Sequence, residues 1–400
     1  MRPLSILAFA GYFKGGRFLE RCKAEGCTVY AFMPEELKTE AWPFHAIDEV
    51  IATPSYYTHR HVLNTLSYLG RTRPFDRIVA LDDFDVEMAA HAREHFRLTN
   101  LGLGESNARY FRDKLAMREK AKSIGVRVPE FVGTFHNEAI RDFLDRVPGP
   151  WLVKPRSEAS AAGIRKCHSS HEVWRRLDDL GDDRAFALIE ELVPGDLFHV
   201  DSLVCNGKVI FAEVNAYHQP LLDVYQGGGV YATRTFPRNR PEVAAIKVEN
   251  AKILEGFGLG QGASHTEFMK AHRDGQYYFI ETSARVGGAD TATMVEHATG
   301  VNLWSEWAKL EICRTEGKYE LPPLKQRYAG VVVSLAKQEN PDTSSFDDPE
   351  IVHSMDMKYH IGFVVAADTP ERVQELLSKY MERIARDFNA VLPGADKVSH

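Results

Sequence analysis

The chain has 400 residues, more than one typical hydrophobic core can organise, so two or three domains are predicted. Apolar residues make up 44% and charged residues 26% of the chain, as in ordinary globular proteins. The net charge of −7 argues against a broad footprint for the phosphate backbone of a nucleic acid. No apolar run approaches the ~20 residues that a membrane span needs, so neither nucleic acid nor a membrane is an expected partner.

The cysteines give no sign of a disulfide framework or a zinc site. They are odd in number and widely spaced, and they contain no C-x-x-C pair: Cys22, Cys27, Cys167, Cys205 and Cys313. This usage is typical of the reducing cytosol. We therefore expect a cytoplasmic protein.

The first part of the chain alternates between strand and helix patterns. Strands are predicted at residues 4–10, 28–33 and 76–81, and helices at residues 15–25 and 86–96. Such alternation indicates βαβ units and a parallel sheet, which makes the fold class α/β. No G-x-G-x-x-G follows the first strand, so a Rossmann-like scaffold without a dinucleotide is predicted.

The remainder of the chain has patterns typical of successive strands joined by hairpin turns. Strands are predicted at residues 151–155, 187–191, 198–205, 208–214, 265–270, 277–283, 329–335 and 362–366, and helices at residues 112–123 and 370–388. Asn206-Gly207 is a strong hairpin-turn signal. The glycine-rich stretch at 256–262 follows a helix and precedes a strand, so it is predicted to be a helix end and turn rather than a phosphate loop.

Two glutamates of one predicted hairpin are the most informative feature. With the turn centred at Asp274, Glu267 and Glu281 lie directly opposite on one face, where like charges repel. A divalent cation such as Mg²⁺, held by one or two carboxylates plus phosphate oxygens, explains such a pair. Two solvated surface glutamates are an equal alternative, because a slip of one residue would change the face.

Basic and small residues occur near this hairpin and earlier in the chain. Arg285 follows the second glutamate, where a guanidinium could stabilise a transferring phosphoryl group. Lys114 begins a predicted helix and Lys154 ends a predicted strand, positions that suit phosphate contacts. The loop at 157–163 could cover phosphates with its backbone N–H groups. Taken singly, each lysine is more typical of the surface, and the loop could equally be an ordinary one.

A series of motifs along the chain is much more specific than any single residue. It consists of RDK at 112–114, WLVKP at 151–155, the loop at 157–163, IEELVPG at 189–195, HVD at 199–201, HTEF at 265–268 and IETSARVGG at 280–288. This series resembles the ATP-grasp superfamily, in particular its carboxylate–amine ligases such as the L-amino-acid ligases. The resemblance covers about residues 1–325.

The resemblance implies a domain layout and a reaction. The implied layout is a Rossmann-like N-terminal domain at 1–110, an ATP-grasp domain at 111–325 and a C-terminal subdomain at 326–400. The ATP-grasp domain would consist of a lid at about 115–187 and a larger α+β subdomain. The implied enzyme uses ATP and Mg²⁺ or Mn²⁺ to convert a small-molecule carboxylate to an acyl-phosphate. It then couples the acyl-phosphate to an amine and releases ADP and phosphate. A homodimer is compatible with this reading. A bicarbonate-activating, carboxylase-like enzyme and an ATP-binding regulator without turnover are the alternatives.

The resemblance also implies roles for individual residues. The ATP-binding residues would be Lys114, Lys154, Ser157, Ser160, Gly163, Glu190, Glu191, Val193, Asp196 and Ile280. The metal ligands would be Glu267, Glu281 and Ser283, and the catalytic cations would be Arg285 and Lys154. Gly287, Gly288, His265 and His218 would face the substrate, with a structural role as the alternative for each histidine.

The chain departs from the family pattern at two positions. The family commonly has Asn where Ser283 stands, and a hydroxyl is a weaker metal ligand than an amide carbonyl. The family often has a carboxylate for the ribose where Leu197 stands, and the neighbouring Asp196 is the expected substitute.

Overall fold

The structure, a computed structural model, describes residues 2–54, 58–98, 102–159, 161–222, 224, 228–313 and 319–390. Within these ranges the strands form three sheets of four, four and eight strands. The chain builds the two small sheets first, and the eight-stranded sheet takes the rest of the chain. None of the described helices combines the length and the apolar character needed to cross a bilayer.

The first sheet is parallel, as the alternating pattern predicts. Its strands are β1 Ser5–Phe9, β2 Thr28–Pro34, β3 Glu49–Thr53 and β4 Arg77–Ala80, in the order β3-β2-β1-β4. The accompanying helices are α1 Gly16–Ala24, α2 His59–Leu69 and α3 Val86–His95. All five residues of β1 are buried, because helices cover both faces of a parallel sheet. Strand β3 and helix α2 were not predicted.

Two helices lead from this sheet into the second one. They are α4 Glu105–Ala108 and α5 Lys114–Ser123, and Asp113 caps α5 by accepting from the amides of Leu115 and Ala116. The second sheet is antiparallel and contains β5 Phe131–Gly133, β6 Trp151–Pro155, β7 Arg165–Cys167 and β8 Ala187–Glu191 in the order β5-β8-β6-β7. Helices α6 Asn137–Arg146 and α7 Ser170–Leu180 share an apolar core with this sheet.

The third sheet is antiparallel and has the order β13-β12-β9-β10-β11-β14-β16-β15. Its strands are β9 Gly195–Cys205, β10 Lys208–Tyr217, β11 Tyr231–Thr235, β12 Gly262–Ala271, β13 Tyr277–Ser283, β14 Tyr328–Leu335, β15 Ile351–Ser354 and β16 His360–Ala367. The helices that pack on it are α8 Pro241–Gly256, α9 Thr291–Thr299, α10 Leu303–Ile312 and α11 Pro370–Asp387. Strand β14 pairs with β11, so the last three strands extend this sheet.

The turn signals read from the sequence are confirmed. Asn206 and Gly207 both adopt positive φ, of 50° and 74°, as the tight turn between β9 and β10 requires. Helix α8 ends at Gly256, and Gly258 has a φ of 79° in the turn that leads to β12. The glycine-rich stretch is therefore a helix end and not a phosphate loop.

The hairpin of β12 and β13 places Glu267 directly opposite Glu281, as predicted. The uniform register assumed for it is wrong, however, because a β-bulge shifts the pairing by one residue. On the turn side of the bulge Phe268 pairs with Phe279, which leaves Ile280 as the extra residue. The centre of the turn therefore lies between residues 273 and 274 rather than at Asp274. The extra residue in the bulge brings the two glutamates opposite each other again.

Gly195, at the start of β9, provides a test of the close pairing between β9 and β12. A Cβ atom there would collide with the backbone carbonyl of Lys270, and it would lie 2.8 Å from Cγ of Met269. We expect Gly195→Ala to lower the free energy of unfolding by about 1–3 kcal/mol in denaturant titrations, because overpacked strands must separate. The control is Asp196→Ala at the exposed neighbouring residue, and equal stabilities of the two variants would contradict the close approach.

Candidate active site

A cavity of about 700 Å³ receives residues from all three sheets and is the candidate active site. Lys154 and Glu190 come from the second sheet, Glu267 and Glu281 from the third, and Asp83 follows the last strand of the first. Twelve of the predicted site residues line this cavity: Lys114, Lys154, Glu190, Glu191, Val193, His265, Glu267, Ile280, Glu281, Ser283, Arg285 and Gly288.

Other predicted site residues lie beside the cavity without lining it. Ser157 and Gly163 bracket a loop of which residues 158, 159, 161 and 162 are lining residues, and Ser160 lies outside the described residues. Asp196 is largely exposed, and its Oδ1 lies 3.2 Å from Nε2 of His272, a residue that does line the cavity. The ATP contacts assigned to these residues stay predictions.

The two remaining substrate candidates differ in their surroundings. His218 is exposed, and its Nδ1 lies 3.5 Å from the side-chain nitrogen of Gln374. Gly287 is buried, and a Cβ atom on it would lie 2.9 Å from both Asp201 Oδ1 and His265 Nδ1. Only glycine lets the backbone pass this close to the two side chains.

A buried ion-pair triad holds Lys154 in place. Glu190 accepts a hydrogen bond of 2.5 Å from Lys154 Nζ through one oxygen and one of 2.6 Å from Arg118 Nε through the other. All three side chains are almost completely buried, and Arg118 also donates to the carbonyl oxygen of Ile280. Burial lowers the pKa of Lys154 to about 8, although Glu190 opposes this shift.

Hydrogen bonds within the protein limit how residues 190–193 can contact a ligand. The Glu190 side chain is engaged by Lys154 and Arg118, and the amides of Glu191 and Leu192 donate to the carbonyls of Glu130 and Pro150. A ligand would therefore find backbone carbonyls along this edge rather than these two amides. Arg118 was not predicted, although its i, i+4 spacing from Lys114 places both cations on one face of α5.

Lys114 links Glu281, one of the two predicted metal ligands, to the loop at 157–163. Its ammonium lies 2.8 Å from Glu281 Oε2 and donates to the Glu158 carbonyl oxygen at 2.6 Å. Burial alone would raise the pKa of Glu281, but Lys114 lowers it below the ordinary value of a glutamate. Glu281 therefore faces the cavity as a carboxylate.

Glu267 has a different set of partners from Glu281. Tyr217 donates to Glu267 Oε1 at 2.7 Å, and His265 Nε2 lies 3.8 Å from the same oxygen. The other ring nitrogen of His265 bonds to Asp201 at 2.9 Å. Burial lowers the pKa of His265, but Asp201 and Glu267 outweigh it and raise the pKa to about 9. His265 is therefore protonated at neutral pH.

Asp201 anchors the polar groups behind this face of the third sheet. It is fully buried and accepts hydrogen bonds from His199 Nδ1 at 2.8 Å and Asn215 Nδ2 at 2.9 Å as well as from His265. His199, Asp201 and His265 have ligand-type atoms within 4.8 Å of one another. Because the Nδ1 atom of each histidine already bonds to Asp201, we interpret the group as a hydrogen-bonded network.

The backbone takes an unusual conformation between the strand that carries Glu281 and the helix that follows it. Ala289 and Asp290 are non-glycine residues with φ of 50° and 56°, a conformation that is uncommon outside glycine. Helix α9 begins at the next residue, Thr291, which lines the cavity with Ala289 and Gly288. The positive end of a helix dipole thus lies near the cavity.

Arg285 is held by a residue that was not predicted. Its Nε and Nη2 atoms both donate to Asp83 Oδ2, at 2.7 and 2.5 Å, and both side chains line the cavity. Asp83 follows β4 in the run LDDFD, at the carboxyl end of a parallel strand. That edge is where α/β sheets place ligand-binding residues, so the position of this acidic run was a usable signal.

The arrangement combines oxygen donors with several cations in one cavity. Glu267, Glu281 and Ser283 offer oxygen atoms, which are the donors preferred by Mg²⁺. Lys114, Lys154 and Arg285 provide positive charge for phosphate groups. A polyphosphate and a divalent cation are therefore the ligands that this chemistry suits.

The comparisons with known proteins agree with this chemistry, although no family model matches the chain. It is 25% identical over 247 residues to the L-arginine-specific L-amino acid ligase of Bacillus subtilis, covering 60% of this chain and 59% of that protein. The chain thus spans about three-fifths of the length of the curated relatives it matches.

Two solved structures share the architecture over nearly the whole chain. An L-amino acid ligase from Bacillus licheniformis matches with a TM-score of 0.75 and 19% identity, over 95% of this chain and 97% of that one. The biotin carboxylase domain of the Hydrogenobacter thermophilus 2-oxoglutarate carboxylase, solved with MgADP and bicarbonate, matches with a TM-score of 0.71 and 17% identity, over 97% and 91%. These likenesses show that the chain shares the α/β fold of both enzymes. The predicted resemblance to L-amino-acid ligases is confirmed by the curated relative from Bacillus subtilis.

Asp201 offers a test of the network behind the cavity. We expect Asp201→Asn to lower the free energy of unfolding by about 3–5 kcal/mol, because two buried imidazoles lose their carboxylate partner. The imidazole signal of His265 in NMR should titrate near pH 9 in the wild type and at a clearly lower pH in the variant, where only Glu267 still opposes burial. Since the folded pKa lies above the unfolded value, the stabilisation by the charge is complete below pH 6.5 and is lost as the pH rises through 9.

The matched control is Asp368→Asn, at a largely exposed aspartate that pairs with Arg327 on the surface. We expect a change within about 0.5 kcal/mol there. A wild-type midpoint near 6.5 would contradict the ion pair between His265 and Asp201.

Proposed function

We propose that this protein is an ATP-dependent ligase that activates a carboxylate as an acyl-phosphate and couples it to an amine, releasing ADP and phosphate. The observation that carries the proposal is the opposition of Glu267 and Glu281 in one cavity with Lys114, Lys154 and Arg285. A buried carboxylate, Glu267, and a half-buried one, Glu281, face a set of cations, an arrangement that suits a metal-bound polyphosphate. The similarity to an L-amino acid ligase supports an amide bond as the product.

ATP would lie between the second and third sheets. Lys114 and Lys154 would contact its phosphates, and the loop at 157–163 would close over them. The purine would lie against Ile280 and the edge at 190–193, with Asp196 near the ribose. In this layout the first sheet belongs to a Rossmann-like domain at 1–110, and residues 326–400 complete the ATP-grasp unit. The second sheet belongs to the lid expected at about 115–187, although its strand β8 continues to Glu191.

The carboxylates fit Mg²⁺ or Mn²⁺, because the donor set consists of oxygen atoms and two of its members are carboxylates that line the cavity. When bound, the metal would neutralise phosphate charge and align the transferring group. Glu267 and Glu281 would hold it, and Ser283 would contribute a weaker oxygen. Lys114 would leave Glu281 for a phosphate oxygen, so one cation would replace another beside that carboxylate.

The chain's own residues would position the reactants. Arg285 and the backbone of Gly287 and Gly288 would hold the substrate carboxylate for in-line attack on the γ-phosphate. The start of α9, which opens at Thr291, would add a favourable dipole for that anion. His265 carries a proton at neutral pH, so it suits electrostatic stabilisation rather than proton removal from the amine.

The direct test is a screen of carboxylate and amine pairs for release of ADP and phosphate. We expect release to require both substrates, and hydroxylamine in place of the amine should give the hydroxamate of the active carboxylate. Reactions that lack the carboxylate serve as controls. Formation of AMP and pyrophosphate would contradict acyl-phosphate chemistry. Turnover with bicarbonate alone would favour a carboxylase, and tight ATP binding with no turnover on any pair would favour a regulator.

The facing carboxylates provide a second test. We expect Glu281→Gln to lower kcat by about 100-fold or more, because the amide cannot replace the charge that holds the metal. Titration of free Mg²⁺ at saturating ATP should show a higher half-maximal concentration for any residual activity. Circular dichroism should confirm that the variant is folded.

The matched control for this variant is Glu339→Gln. Glu339 also pairs with a lysine, Lys358 at 2.6 Å, but lies outside the cavity. Wild-type rates and an unchanged Mg²⁺ curve in the Glu281 variant would contradict the metal assignment.

A further inference from the structure

The guanidinium of Arg285 has three of its five N–H groups engaged by the protein. Nε and Nη2 donate to Asp83 Oδ2, and Nη1 donates to the carbonyl oxygen of Val286 at 2.9 Å. Among the residues that the structure describes, no further acceptor bonds to the guanidinium, so one N–H group remains on each terminal nitrogen. Two N–H groups on neighbouring nitrogens form the fork that binds a carboxylate or phosphate through two oxygens.

Asp83 reaches Arg285 across 202 residues of sequence and from a different sheet. Arginine side chains have many rotamers, and an unanchored one loses conformational entropy when it binds a ligand. Here the partner carboxylate is buried, and the Arg285 side chain is only 13% exposed. The direction of the guanidinium is therefore set before any ligand enters.

The backbone around Asp83 is itself fixed by hydrogen bonds. The Asp82 side chain accepts from the Phe84 amide at 3.0 Å, and Asp85 accepts from the Gly11 amide at 2.6 Å. A Cβ atom on Gly11 would lie 2.8 Å from Asp85, so the loop after β1 packs directly on this turn. The ends of two parallel strands thus hold the position of Asp83.

The charge of Asp83 is also secured. Burial would raise the pKa of Asp83, but Arg285, Lys14 and Arg112 hold it well below the usual range of an aspartate. Its second oxygen, Oδ1, is buried and has no hydrogen-bond partner in the described part of the chain. An ion pair that served stability alone would be expected to satisfy both oxygens, since an unsatisfied buried oxygen is destabilising.

We propose that Asp83 is a positioning residue, which orients Arg285 so that its two remaining N–H groups face the anionic reactant. The inference rests on the proposed function, in which Arg285 contacts the carboxylate and the transferring phosphoryl group. It goes further in making the first sheet a part of the catalytic apparatus. Asp83 itself touches no reacting atom.

The test compares Asp83→Ala and Asp83→Asn with Asp76→Asn. Asp76 is the matched control, because it also pairs with an arginine, Arg2 at 2.7 Å, at the opposite end of the same strand. We expect the Asp83 variants to lower kcat by about 10- to 100-fold, the usual effect of losing a residue that orients a catalytic group. The KM for ATP should stay within about twofold, because the lysines that contact ATP are unchanged. Asp83→Asn keeps the side-chain volume and carries the test if Asp83→Ala does not fold.

A second measurement reports on Arg285 without turnover. Inorganic phosphate is titrated by calorimetry into protein saturated with MgADP. Its affinity should fall at least fivefold in the Asp83 variants and stay unchanged in Asp76→Asn. A double variant with Arg285→Lys should lose little beyond Arg285→Lys alone, because Asp83 acts through the guanidinium.

The outcomes separate the two proposals. If the wild type joins a carboxylate and an amine while the Asp83 variants keep wild-type kcat and phosphate affinity, the positioning role is wrong and the function stands. If no pair is joined but phosphate affinity falls only in the Asp83 variants, the positioning role stands and the proposed function fails. Equal losses of kcat and phosphate affinity in the Asp76 and Asp83 variants would mean that the pair of Asp83 and Arg285 only stabilises the fold, and this would overturn the inference.

Discussion

Two carboxylates lie opposite each other on neighbouring strands, and the rest of the cavity must compensate the repulsion between them. Glu267 and Glu281 repel each other, and partial burial strengthens that repulsion. The structure compensates each separately, Glu267 with the hydroxyl of Tyr217 and Glu281 with the ammonium of Lys114. Each partner comes from a different element from the strand it faces. The negative charge of each glutamate is therefore compensated by a partner of its own, and a bound cation would change these contacts.

The same principle extends outward from the two glutamates. Lys154 could not remain charged in its buried position without Glu190, and Glu190 could not remain ionised without Lys154 and Arg118. Arg118 also bonds to the backbone at Ile280, next to Glu281. Arg118 of α5 thereby connects the second sheet, through Glu190, to the strand of the third sheet that carries Glu281. Such buried networks are demanding in free energy, and they impose one geometry on the groups that they join.

The first sheet joins this network through the pair of Asp83 and Arg285. The cavity then has contributions from three separate sheets, which are linked to one another by hydrogen bonds and ion pairs of their side chains. This arrangement suits phosphoryl transfer, in which positioning and charge stabilisation account for most of the catalysis. The fold alone does not distinguish a ligase from a carboxylase, since structures of both kinds match it. The residues in the cavity therefore carry the functional argument.

The sequence by itself determined the strands and helices that obey strong local rules, and it determined which residue types are available for chemistry. The alternating pattern predicted the parallel first sheet, and Asn206-Gly207 predicted a tight turn, because both signals arise from neighbouring residues. The opposition of Glu267 and Glu281 was also predicted, although the bulge at Ile280 that makes it possible was not. A bulge depends on how two strands pack against a third, and that information is not local.

Only the tertiary structure decided which charges meet. Nothing in the surroundings of Arg118 along the chain marks it as buried, and nothing around Asp83 indicates a partner 202 residues away. The protonation of His265 is decided in the same way, since its pKa reflects burial opposed by Asp201 and Glu267. Local sequence determines backbone conformation through short-range sterics and hydrogen bonds. Charge pairing and pKa values depend on distances across sheets, which exist only after the chain has folded.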